Sequence, residues 1–316
     1  MTMERSARRT ILAVPGSNPR MIDKARGLSC DAVLLDLEDA VAAAAKDAAR
    51  QRVVEALVAG GWGDRVRTVR VNAWSTPWTH RDVIDIVAGA GGEIDAIVLP
   101  KADHPGHVHA LSLLLDQLEA LHGLPVGGIG IEAQIESAVA LRRIDEIAAA
   151  SPRLVSLVLG PADMMASLGI RTLRVGDQPP GYEPGDAYHH ALMSILVAAR
   201  AHGVQAIDGP FVDIGDPDAF ERAARRTAAL GYDGKWVIHP SQIERGNAAF
   251  TPSPGELERA KRLLGAYEEA TSRAGGARGA IMLDGEMVDE AGRALARSIV
   301  ARSVVSRAAP EEQGRS

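Results

Sequence analysis

Residues 154–163 read Leu-Val-Ser-Leu-Val-Leu-Gly-Pro-Ala-Asp, a short apolar run that leads directly into a helix start and an acid. A near-continuous apolar run of this length is typical of a strand with both faces buried in a parallel sheet. Similar runs occur along the chain, and longer, more polar stretches separate them. The candidate strands are Thr10–Val14, Ala32–Asp36, Arg67–Val71, Ala96–Leu99, Gly130–Ile135, Leu154–Leu159, Gln205–Asp208 and Lys235–His239.

The stretches between these strands have the apolar and polar faces of amphipathic helices. Clear examples are Lys46–Val58, His107–Leu121, Ala138–Ala149 and Asp218–Ala229. Strands that alternate with helices in this way predict an α/β fold, a closed (β/α)8 TIM barrel. An open, doubly wound sheet is the alternative, but that fold more often carries a glycine-rich nucleotide loop, and the sequence has no GxGxxG fingerprint.

Two segments depart from the alternation. Arg171–Asp186 is rich in glycine and proline and follows the strand that leads to Asp163, so we predict a functional loop near the site. Thr251–Gly255 ends the barrel, which predicts a catalytic barrel domain over residues 1–250 and a C-terminal helix with a helical lid extension over residues 251–316. The predicted features of that extension are a helix (Glu256–Thr271), a hinge (Ala274–Gly279) and a disordered tail after Ala308.

Composition limits the class of function. The net charge of −6 over 316 residues gives no general attraction for nucleic acid or for an anionic membrane, so we expect neither as a partner. No apolar stretch approaches the length of a membrane span or of a secretion signal. Cys30 is the only cysteine, which excludes an internal disulfide. These features together predict a cytoplasmic protein.

Polar residues concentrate at the carboxyl ends of the predicted strands. In a barrel these ends converge on one rim, where active sites are built. The strand-end segments are Pro15–Asn18, Asp36–Asp39, Arg70–Asn72, Pro100–Lys101, Glu132–Glu136, Gly160–Asp163, Asp208–Gly209 and His239–Pro240. We therefore expect these dispersed residues to form one pocket.

Glu136 and Asp163 are the candidate metal ligands, because they end consecutive predicted strands. A hard cation such as Mg²⁺, with Mn²⁺ as the alternative, takes few protein carboxylates and keeps positions open for substrate oxygens. The structural alternative is that either carboxylate caps the helix that follows it.

Glu38 and Asp39 make the end of the second strand densely acidic, and such acids repel one another unless a cation lies between them. Support of a metal-bound water is one interpretation, and ion pairing with Arg70 or Lys101 is the other. By strand alternation Arg70 shares a face with Thr68 and is a candidate to point inward. There it would bind a carboxylate or stabilise an oxyanion, with a structural salt bridge as the alternative.

The first predicted helix starts at the rim, where Arg20 and Lys24 are candidate phosphate-binding residues. An ordinary helix start explains the same pattern, since serine or asparagine before proline is common there. His239 is a candidate base or a residue that orients a loop. Asp289 is, from the residues alone, an exposed acid in the predicted lid.

The chain resembles the citrate lyase β-subunit/malyl-CoA lyase family of the HpcH/HpaI aldolase superfamily. The stretches that carry the resemblance are PGSNPRM (15–21), LLDLEDA (34–40), RVN (70–72), VLPK (98–101), QIE (134–136), GPAD (160–163), AIDGP (206–210) and GKWVIHPSQ (234–242). Within the family, Arg171–Asp186 resembles the connection of malyl-CoA/β-methylmalyl-CoA lyases more than the shorter one of citrate lyase β-subunits.

The resemblance implies a role for individual residues. Glu136 and Asp163 would bind Mg²⁺, Arg70 would bind substrate, and Glu38 with Asp39 would support the metal shell. Asp289 matches an acid that a neighbouring subunit donates over the active site. The resemblance also implies a small-molecule acyl-CoA substrate bound along the rim near Arg20, and a homotrimer or a hexamer of barrels. Lys24, Arg70 and Lys101 are further candidates for binding the substrate or its CoA.

These observations predict a Mg²⁺-dependent carbon–carbon lyase that cleaves malyl-CoA or β-methylmalyl-CoA reversibly to glyoxylate and acetyl-CoA or propionyl-CoA. Arg70 would stabilise the enolate and Asp289 would return its proton. Three alternatives remain. They are a citrate lyase β-subunit-like enzyme acting on a citryl or citramalyl thioester, a malyl-CoA thioesterase, and a non-catalytic barrel kept for assembly.

Overall fold

Eight parallel strands form a closed barrel in the order β1 to β8, and β1 pairs with β8 to complete the ring. The structure is a computed structural model that describes residues 8–182, 185–272 and 279–307. The barrel strands are β1 (Thr10–Pro15), β2 (Ala32–Asp36), β3 (Val66–Arg70), β4 (Ala96–Leu99), β5 (Gly130–Ile135), β6 (Leu154–Leu159), β7 (Gln205–Asp208) and β8 (Gly234–Val237). The predicted TIM barrel is confirmed.

Helices follow the strands and return the chain to the amino-terminal face of the barrel. They are α1 (Pro19–Ala25), α2 (Lys46–Val58), α3 (Thr79–Ala90), α4 (Pro105–Leu121), α5 (Ala138–Arg142), α6 (Ile144–Ala148), α7 (Pro161–Leu168), α8 (His189–Ala201), α9 (Pro217–Leu230) and α10 (Ile243–Phe250). The prediction of one helix over Ala138–Ala149 was wrong. The backbone of Arg143 leaves the helical region (φ −114°, ψ 15°) and separates α5 from α6.

The barrel interior is filled in layers by side chains that alternate inward along each strand. An apolar layer lies in the middle, formed by Ile11, Ala32, Leu34, Val66, Val98, Val158, Ile207 and Trp236. Below it, the buried Arg8 and Glu132 form an ion pair. Asp36 at the end of β2, Arg70 at the end of β3 and Glu136 after β5 lie at the carboxyl ends of the strands, so the apolar layer lies beneath the charged rim.

A second buried ion pair lies on the outer face of the barrel. Asp208 on β7 and Lys235 on β8 are paired in register, and the Lys235 ammonium lies 2.6 Å from the Asp208 carboxylate. The same ammonium donates to the carbonyl of Gly209 at 2.6 Å, and Thr227 of α9 donates to Asp208. This network fixes the carboxyl end of β7 against the helical layer.

The segment 171–186 contains no helix in its described part, as predicted. Gly176 has a φ of 89°, and a Cβ there would lie 2.9 Å from the Phe211 ring. The N–H of Val212 donates to the carbonyl of Val175 at 3.4 Å. The loop therefore packs against the chain that follows β7. Of this predicted loop, residues 183 and 184 lie outside the described part.

The chain divides into two compact units, one of residues 8–247 and one that contains residues 248–316. The second unit contains α11 (Pro254–Thr271), a hairpin of β9 (Ile281–Leu283) and β10 (Glu286–Val288), and α12 (Glu290–Arg307). Asp284 and Gly285 form the hairpin turn with positive φ values of 53° and 83°, as a two-residue turn requires. Sequence analysis did not predict α12. Most of the predicted hinge and the predicted disordered tail lie outside the described residues.

Within residues 8–182, 185–272 and 279–307, none of the helices combines the length and the apolar character needed to cross a membrane.

Candidate active site

Glu136 follows β5 at the rim and is 2% exposed. Each of its carboxylate oxygens accepts a hydrogen bond: the main-chain N–H of Lys101 donates to Oε1 at 2.6 Å, and the side-chain amide of Gln134 donates to Oε2 at 2.7 Å. Burial and then the neighbouring Glu38 and Asp163 carboxylates raise the pKa of Glu136 to about 8. Negative charge is thus unfavourable at this position unless a cation approaches.

Gly160 brings the next strand end close to this carboxylate. A Cβ at position 160 would lie 2.2 Å from Oε2 and 2.5 Å from Cβ of Glu136, so only glycine fits here. Asp163 lies in the first turn of α7, three residues further on, and is partly exposed. The structure therefore brings the two predicted metal ligands together at adjacent strand ends of the rim.

Arg70 ends β3 and points inward, as strand alternation predicted. Its Nε and Nη2 each donate to the Asp36 carboxylate at 2.7 Å, and its Nη1 lies 2.8 Å from Glu38 Oε2. The guanidinium carbon lies 5.4 Å from the centre of the Trp236 ring. Although burial opposes the charge, Asp36 and Glu38 raise the pKa of Arg70, so this residue stays cationic. These contacts use three of its five N–H groups and leave two for a ligand.

Glu38 bridges the two cations of the rim. One of its oxygens pairs with Arg70, and the other accepts from the Lys101 ammonium at 2.5 Å. Burial raises the pKa of Glu38, while Arg70 and Lys101 act in the opposite direction. The Asp39 side chain is 69% exposed and reaches only the Lys101 ammonium, at 3.5 Å. The ion pair left open by the sequence is therefore present for Glu38, and Asp39 is peripheral to it.

A buried lysine supports the turn that carries Glu38. The Lys46 ammonium donates to the carbonyls of Leu37 and Glu38 at 2.7 and 2.8 Å, and to the Asn72 side chain at 2.6 Å. Asp36 also caps this turn, since it accepts from the N–H of Glu38 at 2.9 Å. The ends of β2 and β3 are therefore tied together beneath the charged residues.

Three further candidate residues of the barrel unit, Arg20, Lys24 and His239, have other surroundings. Arg20 and Lys24 are exposed on α1, whose first turn is capped by the Asn18 side chain. His239 uses its Nδ1 locally, with Ser241, which favours its role in loop orientation over that of a base. In the C-terminal unit, exposed Asp289 accepts from the N–H groups of Ala291 and Gly292 and so caps α12.

Three residues that shape the site were given no individual role from the sequence: Asp36, Gln134 and Trp236. The position of each residue along its strand could have indicated that its side chain points towards the site. Asp36 pairs in register with Arg70, and Gln134 lies two residues before Glu136 on the same face of β5. Trp236 is a large side chain on an inward position of β8, directly beside the Arg70 guanidinium.

The residues present fit a divalent cation. The available donors are hard carboxylate oxygens, and burial with the Glu38 and Asp163 carboxylates raises the pKa of Glu136 although the N–H and the ammonium of Lys101 act to lower it. In the described ranges, neither Glu136 nor Asp163 forms an ion pair, and no group of three or more histidine, cysteine or acidic side chains has metal-binding geometry. A cation held by these two carboxylates would have its remaining positions open to water and substrate.

Comparisons with known proteins find relatives along nearly the whole chain. The chain is 38% identical to the L-malyl-CoA/β-methylmalyl-CoA lyase of Cereibacter sphaeroides (strain ATCC 17025 / ATH 2.4.3), over 90% of this chain and 91% of the relative. It is 36% identical to the citrate lyase subunit beta of Leuconostoc mesenteroides subsp. cremoris, over 89% and 88% of the two chains.

A solved structure is similar over nearly the whole chain. It is the protein CitE from Mycobacterium tuberculosis in complex with magnesium, acetoacetate and coenzyme A, with a TM-score of 0.75 and 31% identity over 95% of this chain and all of that one. The relatives are named lyases, which confirms the predicted enzyme class. The sequence profile of HpcH/HpaI aldolase/citrate lyase matches residues 9–240. The chain therefore belongs to the HpcH/HpaI aldolase/citrate lyase family.

Proposed function

We propose that this enzyme cleaves malyl-CoA, or β-methylmalyl-CoA, reversibly to glyoxylate and acetyl-CoA or propionyl-CoA, with Mg²⁺ held by Glu136 and Asp163. The observation that carries the proposal is the division of charge at the rim. Arg70 and Lys101 are paired with Asp36 and Glu38, whereas Glu136 and Asp163 have no protein cation of their own in the described part. The similarity to named malyl-CoA lyases favours this substrate class.

The bound cation would supply Lewis acidity at the hydroxy-acid end of the substrate. Glu136 would present its carboxylate in one orientation, because a hydrogen bond from Lys101 or Gln134 holds each oxygen. Glu38 and Asp36 would hold the Arg70 guanidinium rigid, so that its remaining N–H groups bind the substrate at no cost in reorganisation.

Cleavage breaks the bond between the hydroxyl-bearing carbon and the carbon next to the thioester. The hydroxyl gives up its proton to solvent, the first carbon becomes the aldehyde of glyoxylate, and the electron pair of the broken carbon–carbon bond passes to the thioester as an enolate. Arg70 would stabilise the charge of that enolate. Asp289, contributed by a neighbouring subunit as the family resemblance implies, would return the proton to carbon. We further propose that Arg20, Lys24 and Lys101 attract the phosphates and carboxylates of the CoA ester, and that the subunits form a trimer or a hexamer.

The test is a product assay on the purified protein with malyl-CoA, with and without Mg²⁺, that measures glyoxylate, acetyl-CoA, malate and free CoA separately. Metal-dependent formation of equal amounts of glyoxylate and acetyl-CoA is expected. Glu136→Gln should abolish turnover, whereas Asp39→Asn, a matched change of a peripheral rim acid, should retain most of it. Release of malate and CoA without glyoxylate would overturn the proposal in favour of a thioesterase.

The similarity to a citrate lyase β-subunit supports one competing substrate class. Cleavage of citramalyl-CoA or a carrier-bound citryl thioester, with no turnover of malyl-CoA, would replace the proposed substrate and keep the proposed metal site. Loss of both metal binding and turnover would favour a non-catalytic barrel.

A further inference from the structure

Lys101 adopts a backbone conformation that is sterically costly for any residue with a Cβ. Its φ is 48°, in the left-handed region. Among the described residues only Asp284, in the C-terminal hairpin turn, shares this property without being glycine. A strained residue at the edge of a candidate site persists only if its surroundings hold it there.

Hydrogen bonds of the two residues after Lys101 stabilise its backbone conformation. The next residue, Ala102, is fully buried and donates its N–H to the carbonyl of Gln134 at 3.3 Å. Asp103 accepts a hydrogen bond from the Ser137 hydroxyl at 2.5 Å. The turn after β4 is therefore fastened to the chain on both sides of Glu136, and Lys101 lies between the end of β4 and this fastening.

The consequence of the left-handed conformation is a main-chain N–H that points into the site. It donates to Glu136 Oε1 at 2.6 Å, while the ammonium of the same residue extends to Glu38 at 2.5 Å. Gln134 holds the other Glu136 oxygen at 2.7 Å. The main chain of Lys101 therefore binds Glu136, and its side chain binds Glu38.

We propose that Lys101 is a positioning residue for the metal site, and that it orients Glu136 through its left-handed main chain and not through its ammonium. The inference rests on the proposed function, because it takes Glu136 as a Mg²⁺ ligand. Donors that hold a ligand in place contribute about 10- to 100-fold to metal affinity in other proteins.

Three variants separate the effect of the main-chain conformation of Lys101 from the effect of its ammonium. Lys101→Gly, Lys101→Met and Lys101→Val all lack the ammonium, but the left-handed conformation is easy for glycine, tolerable for methionine and strongly disfavoured for β-branched valine. Dissociation constants for Mg²⁺ and Mn²⁺ are measured by calorimetry, well below the melting temperature of each variant. We expect the glycine and methionine variants to bind within about threefold of wild type and the valine variant to bind at least about tenfold more weakly.

Equal affinities in all three variants would overturn the inference, and so would an equally large loss in all three, which would assign the effect to the ammonium. If the valine variant does not fold, replacement of the amide at position 101 by an ester decides, because it removes the N–H and keeps the lysine side chain. The ester protein should lose at least about tenfold in metal affinity, and unchanged affinity would refute the inference. Absence of metal binding in the wild-type protein would instead refute the proposed metal site itself, and this inference with it.

Discussion

Lowering the pH below about 8 is expected to weaken Mg²⁺ binding steeply, because a proton and the cation compete for Glu136. Burial and the carboxylates of Glu38 and Asp163 raise the pKa of Glu136 from 4.5 to about 8 in the metal-free protein. A metal ligand must be deprotonated, so binding releases this proton wherever the pH lies below the raised pKa.

The size of the effect follows from the pKa. About one carboxylate in a hundred is ionised at pH 6, and about one in ten at pH 7, so the dissociation constant should rise about tenfold for each pH unit below 8 and level off above 9. The free energy of unfolding of the metal-free protein changes with pH in the opposite direction to the metal affinity. A raised folded-state pKa stabilises the metal-free protein fully below about pH 4.5, and this contribution is lost as the pH rises through about 8.

The assay is titration calorimetry from pH 6 to 9.5 in pairs of buffers with different ionisation enthalpies, which gives both the affinity and the number of protons released. Close to one proton should leave per Mg²⁺ bound at pH 6, falling towards zero at pH 9.5. The control is Glu136→Gln, which keeps the shape of the side chain and cannot ionise, so its weak binding should show little pH dependence. Constant affinity between pH 6 and 9 with no proton released would refute this reasoning.

Three further changes test other parts of the barrel. Arg70→Met should lower kcat/KM for the thioester by at least about 100-fold while Mg²⁺ affinity is retained. Arg70→Lys should be intermediate, because lysine keeps the charge but loses the paired contact with Asp36. Equal kinetics for Arg70→Met and wild type would contradict the role of Arg70. Gly160→Ala should abolish Mg²⁺ binding in calorimetry, since the new Cβ would occupy the space of the Glu136 carboxylate, and unaltered binding would show that the strand ends can separate. Lys235→Met should reduce the free energy of unfolding in urea by about 3–5 kcal/mol by leaving Asp208 buried without its partner, and Asp208→Asn in the same chain should recover part of that loss.

The barrel could be predicted from the sequence because its strands are buried on both faces and so appear as apolar runs. Five of the eight predicted strands have the bounds seen in the structure, among them Ala32–Asp36 and Leu154–Leu159. No helix was predicted over the residues of α12, and the break at Arg143 was not predicted because no proline or glycine marks it. Local backbone deviations of this kind leave little trace in side-chain type.

The candidate site was predictable to the extent that chemistry follows strand alternation. The inward direction of Arg70 and the meeting of Glu136 with Asp163 at the rim follow from that pattern. Strand alternation does not predict which opposite charge each side chain pairs with. Whether Arg70 pairs with Asp36, Glu38 or Asp39 depends on turn geometry, and the turn is set by the buried Lys46. The left-handed conformation of Lys101 was equally hidden, because a lysine gives no signal of a positive φ.

The arrangement of charge explains why this rim would depend on an external cation. Three basic side chains of the described rim, Arg70, Lys101 and the buried Lys46, do not balance five acids, and geometry decides which acids they serve. The acids are Asp36, Glu38, Asp39, Glu136 and Asp163. Arg70 is held by Asp36 and Glu38, and Lys101 by Glu38 and weakly by Asp39. Among the described residues, Glu136 accepts hydrogen bonds from neutral N–H donors, and the Lys101 ammonium acts on its charge without forming an ion pair with it. A lysine or arginine placed beside Glu136 would supply that charge but would also fill the space that a substrate oxygen needs. A small divalent cation supplies the charge and leaves positions open, so the unpaired acids of this barrel favour metal dependence over a further internal salt bridge.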